Sequence, residues 1–241
     1  MLNEKEKDRY SRQLIFPSWG DRGQEKLKSS TVFIAGVGGL GSPPAAYLAA
    51  AGVGTIRLCD SGFLELSNLN RQILYTMDNI DRVKVEAAAE NLRLLNDTID
   101  LIPLEEYIDD DTIGPLVGDS DLIIDCMDNF DSRYVLNRLA VKKGIPLIHA
   151  GISGLSGQIM LIHSPETPCL SCIFPEVLPG GVLPVIGVTP GVIGSLAAAE
   201  ALKYLIGMDV SLKGKLLIWD GNLMSFETIN LTKNPGCPVC G

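Results

Sequence analysis

Short apolar runs alternate with longer segments of helical periodicity along the first part of the chain. Five of the runs have the length and the Val, Ile and Leu content of buried strands. They cover residues 31–35, 55–60, 99–104, 121–126 and 146–150. Helical segments are predicted between them, among others at residues 81–95 and 132–143. Strands separated by helices pair in parallel through right-handed crossovers, so the pattern predicts a doubly wound, Rossmann-like α/β sheet that is mostly parallel.

The alternation of strands and helices ends near residue 157. Three later strand-like runs are interrupted by only one helical segment, predicted around residues 194–205. These runs cover residues 158–163, 215–219 and 225–231. They predict antiparallel strands that extend the parallel sheet. Two polar helices are expected before the first strand, over residues 4–12 and 20–28.

Charge and hydropathy limit the kinds of partner. The chain carries 29 acidic and 20 basic residues, a formal charge of −9, which argues against general nucleic-acid binding. The first residues are charged, so we expect neither a signal peptide nor a membrane anchor. The protein is therefore expected to be cytoplasmic. The apolar stretch at residues 182–206 contains Pro184, Pro190, Glu200 and Lys203. We therefore expect that stretch to pack against the core rather than to cross a membrane.

A glycine-rich turn between the first strand and a helix is the first motif with chemical content. Its glycines are Gly36, Gly38, Gly39 and Gly41. Such glycines allow a tight turn and bring backbone N–H groups close to a phosphate at a helix N-terminus. Asp60 ends the next strand, where a carboxylate can accept hydrogen bonds from ribose hydroxyls. A purely structural turn is the alternative. The turn with Asp60 favours a nucleotide, and the turn alone would suggest NAD.

Basic and amide side chains follow Asp60 along the chain. Asn68, Arg71 and Gln72 lie in the loop after the second strand, and Lys84 begins the next helix. A triphosphate needs such cations, because its charge exceeds what a helix dipole offsets, whereas hydride transfer has no such requirement. Taken alone, either cation would be read as solvated surface charge.

A further acidic position lies just beyond the fourth strand. Asp128 is expected at the sheet edge that also carries the glycine turn, where open α/β sheets place their ligands. Its carboxylate could hold Mg²⁺ while the metal bridges phosphate oxygens. Alternatively, Asp128 and Asn129 simply cap the helix that follows.

The six cysteines divide into two groups. Four of them form two CxxC pairs, Cys169 with Cys172 and Cys237 with Cys240. Two CxxC turns supply the four thiolates of a tetrahedral zinc site, which would be structural because no ligand position stays open. A redox CxxC and two disulfides are the alternatives. The other two, Cys59 and Cys126, are expected to be small core residues rather than nucleophiles.

Some chemistries lack their required parts. His149 and His163 are the only histidines, and each is expected in a strand, packed rather than catalytic. The sequence has no GxSxG elbow and no GxxxxGK[ST] loop. Hydrolases with a serine elbow and P-loop enzymes are therefore disfavoured.

Several of these motifs recur in order along essentially the whole chain. They are Arg9–Gln13, the glycine turn, Asn68–Gln72, Lys84–Glu86, Asp125–Asn129, the paired CxxC and Asn234–Cys237. Together they resemble the ThiF/MoeB/HesA family, the E1-like activating enzymes. The resemblance implies adenylation of the C-terminal glycine carboxylate of a small ubiquitin-like protein, usually a sulfur carrier ending in Gly-Gly. It also implies that the enzyme uses Mg-ATP, releases pyrophosphate and works as a homodimer.

The same resemblance implies a role for each site residue. Asp60 would bind the ribose, Asp128 would hold Mg²⁺, and Arg12 would reach into the site of the partner subunit. The phosphates would be contacted by Asn68, Arg71, Gln72 and Lys84. The physical chemistry agrees, because a carboxylate nucleophile is already ionised at neutral pH and needs no general base. The enzyme's tasks are then in-line positioning and neutralisation of phosphate charge.

We expect a single adenylation domain over residues 1–241. Its N-terminal helices would reach residue 30. A nucleotide-binding half would span 31–156, and the antiparallel strands, crossover loop and zinc site would span 157–241.

Two positions depart from the family pattern. The crossover loop, residues 173–189, is short and contains no cysteine, so we expect the reaction to stop at the acyl-adenylate without an enzyme thioester. Sulfur would then come from a separate protein. Gly62 stands where many relatives carry a second acid, which leaves Asp60 alone for the ribose.

Three alternatives remain open at this point. An NAD-dependent oxidoreductase would suit the glycine turn and Asp60, but the sequence offers no evident acid for hydride transfer. A non-catalytic scaffold could keep the fold and bind a partner. An adenylating enzyme could also act on a different acceptor, such as a small peptide or a transfer RNA.

Overall fold

The computed structural model describes residues 1–175 and 183–241, and an eight-stranded sheet runs through these residues. The strands are β1 (Thr31–Ala35), β2 (Thr55–Cys59), β3 (Asp100–Leu104), β4 (Leu122–Asp125), β5 (Leu147–Ser153), β6 (Ser156–Ile162), β7 (Lys215–Asp220) and β8 (Ser225–Asn230). They lie in the order β3-β2-β1-β4-β5-β6-β7-β8. In this spatial order, neighbouring strands pair in parallel from β3 through β2, β1 and β4 to β5. From β5 onward to β8 they pair antiparallel. The prediction of a mostly parallel α/β sheet with an antiparallel extension is confirmed.

Helices cover both faces of the sheet. They are α1 (Glu4–Arg9), α2 (Ser11–Leu14), α3 (Gly20–Ser29), α4 (Ser42–Ala51), α5 (Lys84–Leu95), α6 (Ile113–Val117), α7 (Phe130–Lys143), α8 (Leu170–Ile173) and α9 (Val188–Ile206). Two short 3-10 helices lie at Leu66–Asn68 and Met77–Asn79. None of the helices in the described ranges has the length and apolar content that a membrane span requires.

The helix boundaries differ most from the predicted ones in three places. The helix expected over residues 4–12 is two helices, because the backbone leaves helical geometry at Tyr10. Helix α5 begins at Lys84 rather than at residue 81, since Asp81 has φ +65° and a helix cannot continue through that conformation. Helix α9 is longer than expected at both ends, and the one-turn helices α6 and α8 were not predicted.

The strand order creates a crevice at the carboxyl end of β1. Strand β1 lies between β2 and β4, and Ala35 is in register with both Cys59 and Asp125. Helices α4 and α5 pack into the hydrophobic cluster on one face of the sheet, and α6 and α7 pack into the cluster on the other. The connections after β1 and β4 therefore diverge to opposite faces. In open α/β sheets, this switch point is where ligands bind.

The core follows from the alternation of side chains along these strands. Phe33 and Ile34 are both fully buried, and they belong to clusters on opposite faces of the sheet. A strand buried on both faces is a continuous apolar run, as the sequence of β1 shows. The expectation that residues 1–241 form a single domain stays a prediction.

Candidate active site and metal centre

The glycine turn connects β1 to α4 and is closed by backbone contacts. Gly36 has φ +85°, a conformation that residues with a Cβ rarely adopt, and its N–H donates to the carbonyl of Cys59 at 2.8 Å. A Cβ at Gly41 would lie 2.0 Å from the carbonyl oxygen of Gly36, so only glycine fits there. The Tyr75 hydroxyl donates to the carbonyl of Val37 at 2.8 Å and so helps to hold the turn in place. Tyr75 was not identified from the sequence.

The start of α4 offers fewer free donors than the motif suggests. Ser42 donates its N–H to Gly38, and Pro43 and Pro44 have no N–H to offer. Within residues 1–175 and 183–241, the amides of Gly38 and Gly39 have no acceptor. The turn itself, rather than the first turn of the helix, therefore presents the N–H groups that an anion could reach.

Asp60 joins the turn to the loop that follows β2. Its Oδ2 accepts from Val37 N–H at 3.0 Å and its Oδ1 accepts from Gly62 N–H at 2.8 Å. A Cβ at Gly62 would lie 3.0 Å from Asp60 Oδ1 and 3.2 Å from Lys84 Nζ. The carboxylate of Asp60 and the ammonium of Lys84 thus flank Gly62, and a second acid at that position would crowd both.

Arg71 lies over the glycine turn. A Cβ at Gly39 would be 3.0 Å from Arg71 Cγ, so the absence of a side chain at Gly39 leaves room for the arginine stem. Nη1 of Arg71 donates to the Ser67 carbonyl at 3.0 Å and to Asn70 Oδ1 at 2.9 Å. The loop therefore holds the guanidinium at the rim of the crevice.

The two predicted amides line the same loop. Asn68 is buried, and its Oδ1 accepts the N–H of Glu65 at 3.1 Å. The NH₂ group of Asn68 takes no part in this bond. Gln72 is also buried, with its Nε2 beside Gly38, and its Oε1 has no hydrogen-bond partner among the described residues. A buried acceptor without a partner is uncommon and is consistent with a ligand-binding crevice.

The segment after β4 faces the turn from the other side. A Cβ at Gly36 would lie 2.9 Å from the carbonyl oxygen of Cys126, which shows how closely the two segments approach. Asn129 caps α7 by accepting the N–H of Ser132 at 2.8 Å. The capping interpretation is therefore correct for Asn129 and not for Asp128. The carboxylate of Asp128 is exposed and accepts a hydrogen bond from the neighbouring Asn129 amide at 3.3 Å.

A buried ionic network lies directly beneath Asp128, and the sequence did not reveal it. Asp125 is fully buried and accepts from His149 Nδ1 at 2.7 Å. Arg133 Nε lies 3.9 Å from the other carboxylate oxygen. Burial lowers the pKa of His149 in spite of the nearby Asp125 carboxylate, so the ring is neutral at pH 7. The available signal was an aspartate that ends an otherwise apolar strand.

The two histidines behave differently. His149 lies inside β5 and is packed, as predicted. The expectation that His163 lies within a strand is wrong, because β6 ends at Ile162. The N–H of His163 donates to Thr167 Oγ1 at 2.7 Å, within the turn that follows the strand. Its ring packs edge-on against Tyr204.

Arg12 is not brought to this crevice within one chain. Its neighbour Gln13 donates to the carbonyl of Ala51 at 3.1 Å, and the buried Gln24 donates to the same carbonyl at 2.8 Å. These bonds hold α2 at the C-terminal end of α4. The glycine turn lies at the N-terminal end of α4, about 15 Å away at 1.5 Å per residue. Arg12 itself is exposed.

The rim of the crevice is bordered by the end of the crossover loop. A Cβ at Gly187 would lie 2.3 Å from the carbonyl oxygen of Asn70, so residues just before α9 run against the loop that carries Arg71. Residues 176–182 of the predicted crossover loop lie outside the described residues.

The two CxxC pairs meet at one point. The sulfur atoms of Cys169, Cys172, Cys237 and Cys240 all lie within 4.8 Å of one another. Three of the distances are 3.5, 3.6 and 4.0 Å. Four thiolates at a Zn–S distance of about 2.3 Å around one ion would be about 3.8 Å apart, whereas a disulfide needs about 2.05 Å. The cluster therefore fits a zinc ion better than two disulfides.

The remaining two thiols are inert core groups, as expected. Cys59 and Cys126 are both buried. Burial, with Asp60 and Glu106 nearby, raises the pKa of the Cys59 thiol to about 12. Burial also raises the pKa of Cys126 well above its ordinary value. Neither sulfur is available as a thiolate nucleophile at neutral pH.

The likeness to known proteins extends over nearly the whole chain. Residues 10–239 match the ThiF family. The chain belongs to that family. This ThiF-family chain is 41% identical over 246 residues to the SAMP-activating enzyme E1 of Haloferax volcanii, which covers 100% of the chain and 91% of that relative. It is 40% identical over 249 residues to the sulfur carrier protein adenylyltransferase of Thermus thermophilus, which covers 99% of the chain and 92% of that relative.

A solved structure supports the same assignment. The crystal structure of E. coli MccB with ATP has a TM-score of 0.86 and 27% sequence identity, over 99% of this chain and 75% of that chain. The family and the fold predicted from the sequence are confirmed. The enzyme class is confirmed as well, because the curated relatives of this ThiF-family chain include named adenylyltransferases.

Proposed function

We propose that this ThiF-family chain uses Mg-ATP to adenylate the C-terminal glycine carboxylate of a small ubiquitin-like sulfur carrier, with release of pyrophosphate. The observation that carries the proposal is the placement of two cations around the crevice, one on the glycine turn and one beside Asp60, whose carboxylate is bonded to that turn. Arg71 packs on Gly39, and Lys84 faces Asp60 across Gly62. A turn that bound only a dinucleotide for hydride transfer would not need two such cations.

The residues around the crevice would divide the work of binding. Asp60 would accept hydrogen bonds from the ribose with the carboxylate capacity that Val37 and Gly62 leave free. Asn68, Arg71, Gln72 and Lys84 would contact the phosphates. Their charges would offset the charge that builds up on the phosphates as the carboxylate attacks and pyrophosphate departs. The attacking carboxylate is already ionised, so the chain needs only to orient it.

The surroundings of Asp128 suit a magnesium ligand. Its carboxylate is exposed, it follows β4 opposite the glycine turn, and the cap of α7 is supplied by Asn129 instead. Hard oxygen ligands of this kind suit Mg²⁺. When bound there, Mg²⁺ would neutralise charge on the phosphates. The cluster of four cysteines would hold a structural zinc ion and tie the C-terminal segment to α8.

The six cysteines support a reaction that stops at the acyl-adenylate. Cys59 and Cys126 are buried core thiols, and the other four form the proposed zinc site. None of the six is left for an exposed thioester. Sulfur would therefore be supplied by a separate protein.

The experiment that tests the proposal is carrier-dependent exchange of pyrophosphate into ATP. We expect exchange with a carrier that ends in a free Gly-Gly carboxylate, and none with the same carrier amidated at that carboxylate. No reductant-sensitive conjugate between enzyme and carrier should form. Exchange that proceeds without a carrier, or with the amidated carrier, would contradict the proposed acceptor.

A peptide carboxylate is the second candidate acceptor. It is favoured by the similarity to MccB, for which a structure exists in complex with N-formylated MccA at a TM-score of 0.88 and 26% identity. Exchange that depends on a short free peptide rather than on a folded carrier would favour this alternative.

We also propose that the chain works as a homodimer in which each Arg12 completes the partner's site. The position of α2 at the far end of α4 supports this, because Arg12 is remote from the crevice of its own chain. The Arg12→Ala and Asp128→Asn variants should each be nearly inactive. After the two are mixed and allowed to exchange subunits, exchange activity should recover to about a quarter of the wild-type rate, since mixed dimers contain one intact site.

The control for the mixing experiment is Arg22→Ala. Arg22 is an exposed arginine on α3, in the same N-terminal region as Arg12. This variant should keep wild-type activity without any partner. A mixture that stays as inactive as its two components, despite verified subunit exchange, rules out a shared site.

A further inference from the structure

The peptide unit immediately before Asp128 is held from two directions. Arg133 donates through both Nε and Nη2 to the carbonyl of Met127, with Nε at 3.1 Å. Asp125 Oδ1 accepts the N–H of the same residue at 3.1 Å. Both backbone groups of Met127 are thus bonded to ionic side chains. This fixes the direction in which the chain enters Asp128.

The two side chains that bind the Met127 peptide unit are themselves held in place. Asp125 is fully buried, and its second oxygen accepts from His149 Nδ1 at 2.7 Å. Arg133 is buried as well and donates from Nη2 to the carbonyl of Ala150 at 3.2 Å. Its guanidinium also lies 5.0 Å from the centre of the Phe130 ring. The network therefore links β4, β5 and α7 around one peptide unit.

This arrangement is not what stability alone would favour. His149 is fully buried, and its Nε2 has no hydrogen-bond partner among the described residues. A buried polar atom without a partner destabilises the folded state, and such atoms tend to persist where a site needs them. A purely structural core would be about as stable with well-packed apolar side chains in place of both His149 and its partner Asp125.

We propose that Arg133, Asp125 and His149 are positioning residues that hold the segment 126–129 so that the carboxylate of Asp128 faces the glycine turn. The inference rests on the proposed function, because it assigns the network to the placement of a magnesium ligand. None of the three touches the nucleotide. They act through the Met127 peptide unit, much as partners behind a metal ligand set its orientation.

The decisive variant is Arg133→Lys, which keeps a charge for Asp125 but cannot reproduce the two-point bond to Met127. Catalytic turnover in pyrophosphate exchange should fall about 10- to 100-fold, and the KM for Mg-ATP should rise because the contribution of Mg²⁺ to ATP binding is lost. The matched control is Arg138→Lys, on the same helix, where an exposed arginine pairs with Asp110. The control should leave both parameters unchanged.

Two measurements separate this inference from the proposed function. The first is the gain in ATP affinity on adding Mg²⁺, followed by calorimetry, which should be lost in Arg133→Lys and kept in Arg138→Lys. The second is amide hydrogen exchange of residues 126–130 in the protein without nucleotide, which should accelerate about 10-fold in Arg133→Lys only. A wild-type protein that binds no ATP contradicts the proposed function. Unchanged Mg²⁺ dependence and exchange in Arg133→Lys overturn the positioning role.

His149 provides an independent pair of variants in case Arg133→Lys does not fold. His149→Asn can still donate to Asp125 from an atom near the position of Nδ1, whereas His149→Leu keeps bulk and removes the donor. The asparagine should preserve the Mg²⁺ dependence and the leucine should weaken it. Equal behaviour of the two variants overturns the role of His149 in the network.

Discussion

Replacing Asp128 by asparagine should lower carrier-dependent pyrophosphate exchange about 100-fold or more. The substitution keeps the size of the side chain and removes the charge that would hold Mg²⁺ beside the phosphates. Asp128 is exposed and does not cap α7, so folding should be unaffected. The measurement is exchange at saturating ATP, together with the thermal midpoint as a check of folding.

The control for this prediction is Asp131→Asn. Asp131 is an exposed aspartate in the first turn of α7, three positions from Asp128, so it carries the same charge into the same region. Its substitution should change exchange little. If both variants lose activity equally, the general negative charge of the region is responsible. If neither does, Asp128 is not a magnesium ligand.

Replacing Cys237 by serine should remove zinc from the protein and lower its thermal midpoint on the order of 10 °C. The serine hydroxyl is a poor substitute for a thiolate, and the three other sulfurs cannot complete a tetrahedral site. Zinc binding should be coupled to folding, because a metal held by the four cysteines would join the C-terminal segment to α8. Metal content is measured per chain, and unfolding by calorimetry.

Cys59→Ala is the control for the zinc site. Cys59 is buried but lies at the end of β2, in the register of the sheet and outside the cysteine cluster. Its substitution can cost some stability and should leave the zinc content unchanged. Wild-type protein without zinc, or Cys237→Ser that retains a full complement, would show that the cluster is not a zinc site.

The residues of the crevice could be predicted because their signals are local. Gly36 to Gly41 follow an apolar strand directly, and Asp60 and Asp128 follow two others. Parallel strands present their carboxyl ends at one edge, so three sequence positions far apart were expected to meet there. The structure brings the turn, the loop with Arg71 and the segment with Asp128 together as expected.

The positioning network could not be predicted in this way. Asp125 and His149 meet because β4 and β5 are neighbours and these two residues are directly in register. The Tyr75 hydroxyl similarly reaches Val37 across 38 positions of sequence. Neither contact leaves a periodic or motif signal, because strand neighbours and register depend on the packing of the whole sheet.

The sequence by itself determined the α/β class, the family, the glycine turn and the two CxxC pairs, since each depends on residues close together in the chain or on recurring motifs. The tertiary structure decided that the cysteine sulfurs converge, that Asn129 and not Asp128 caps α7, and that Arg12 lies at the far end of α4. It also decided that the backbone of Met127 is hydrogen-bonded to the side chains of Arg133 and Asp125. These features depend on distances between segments that are remote in the sequence. Those distances are set by how the two faces of the sheet are buried, and not by local secondary-structure propensity.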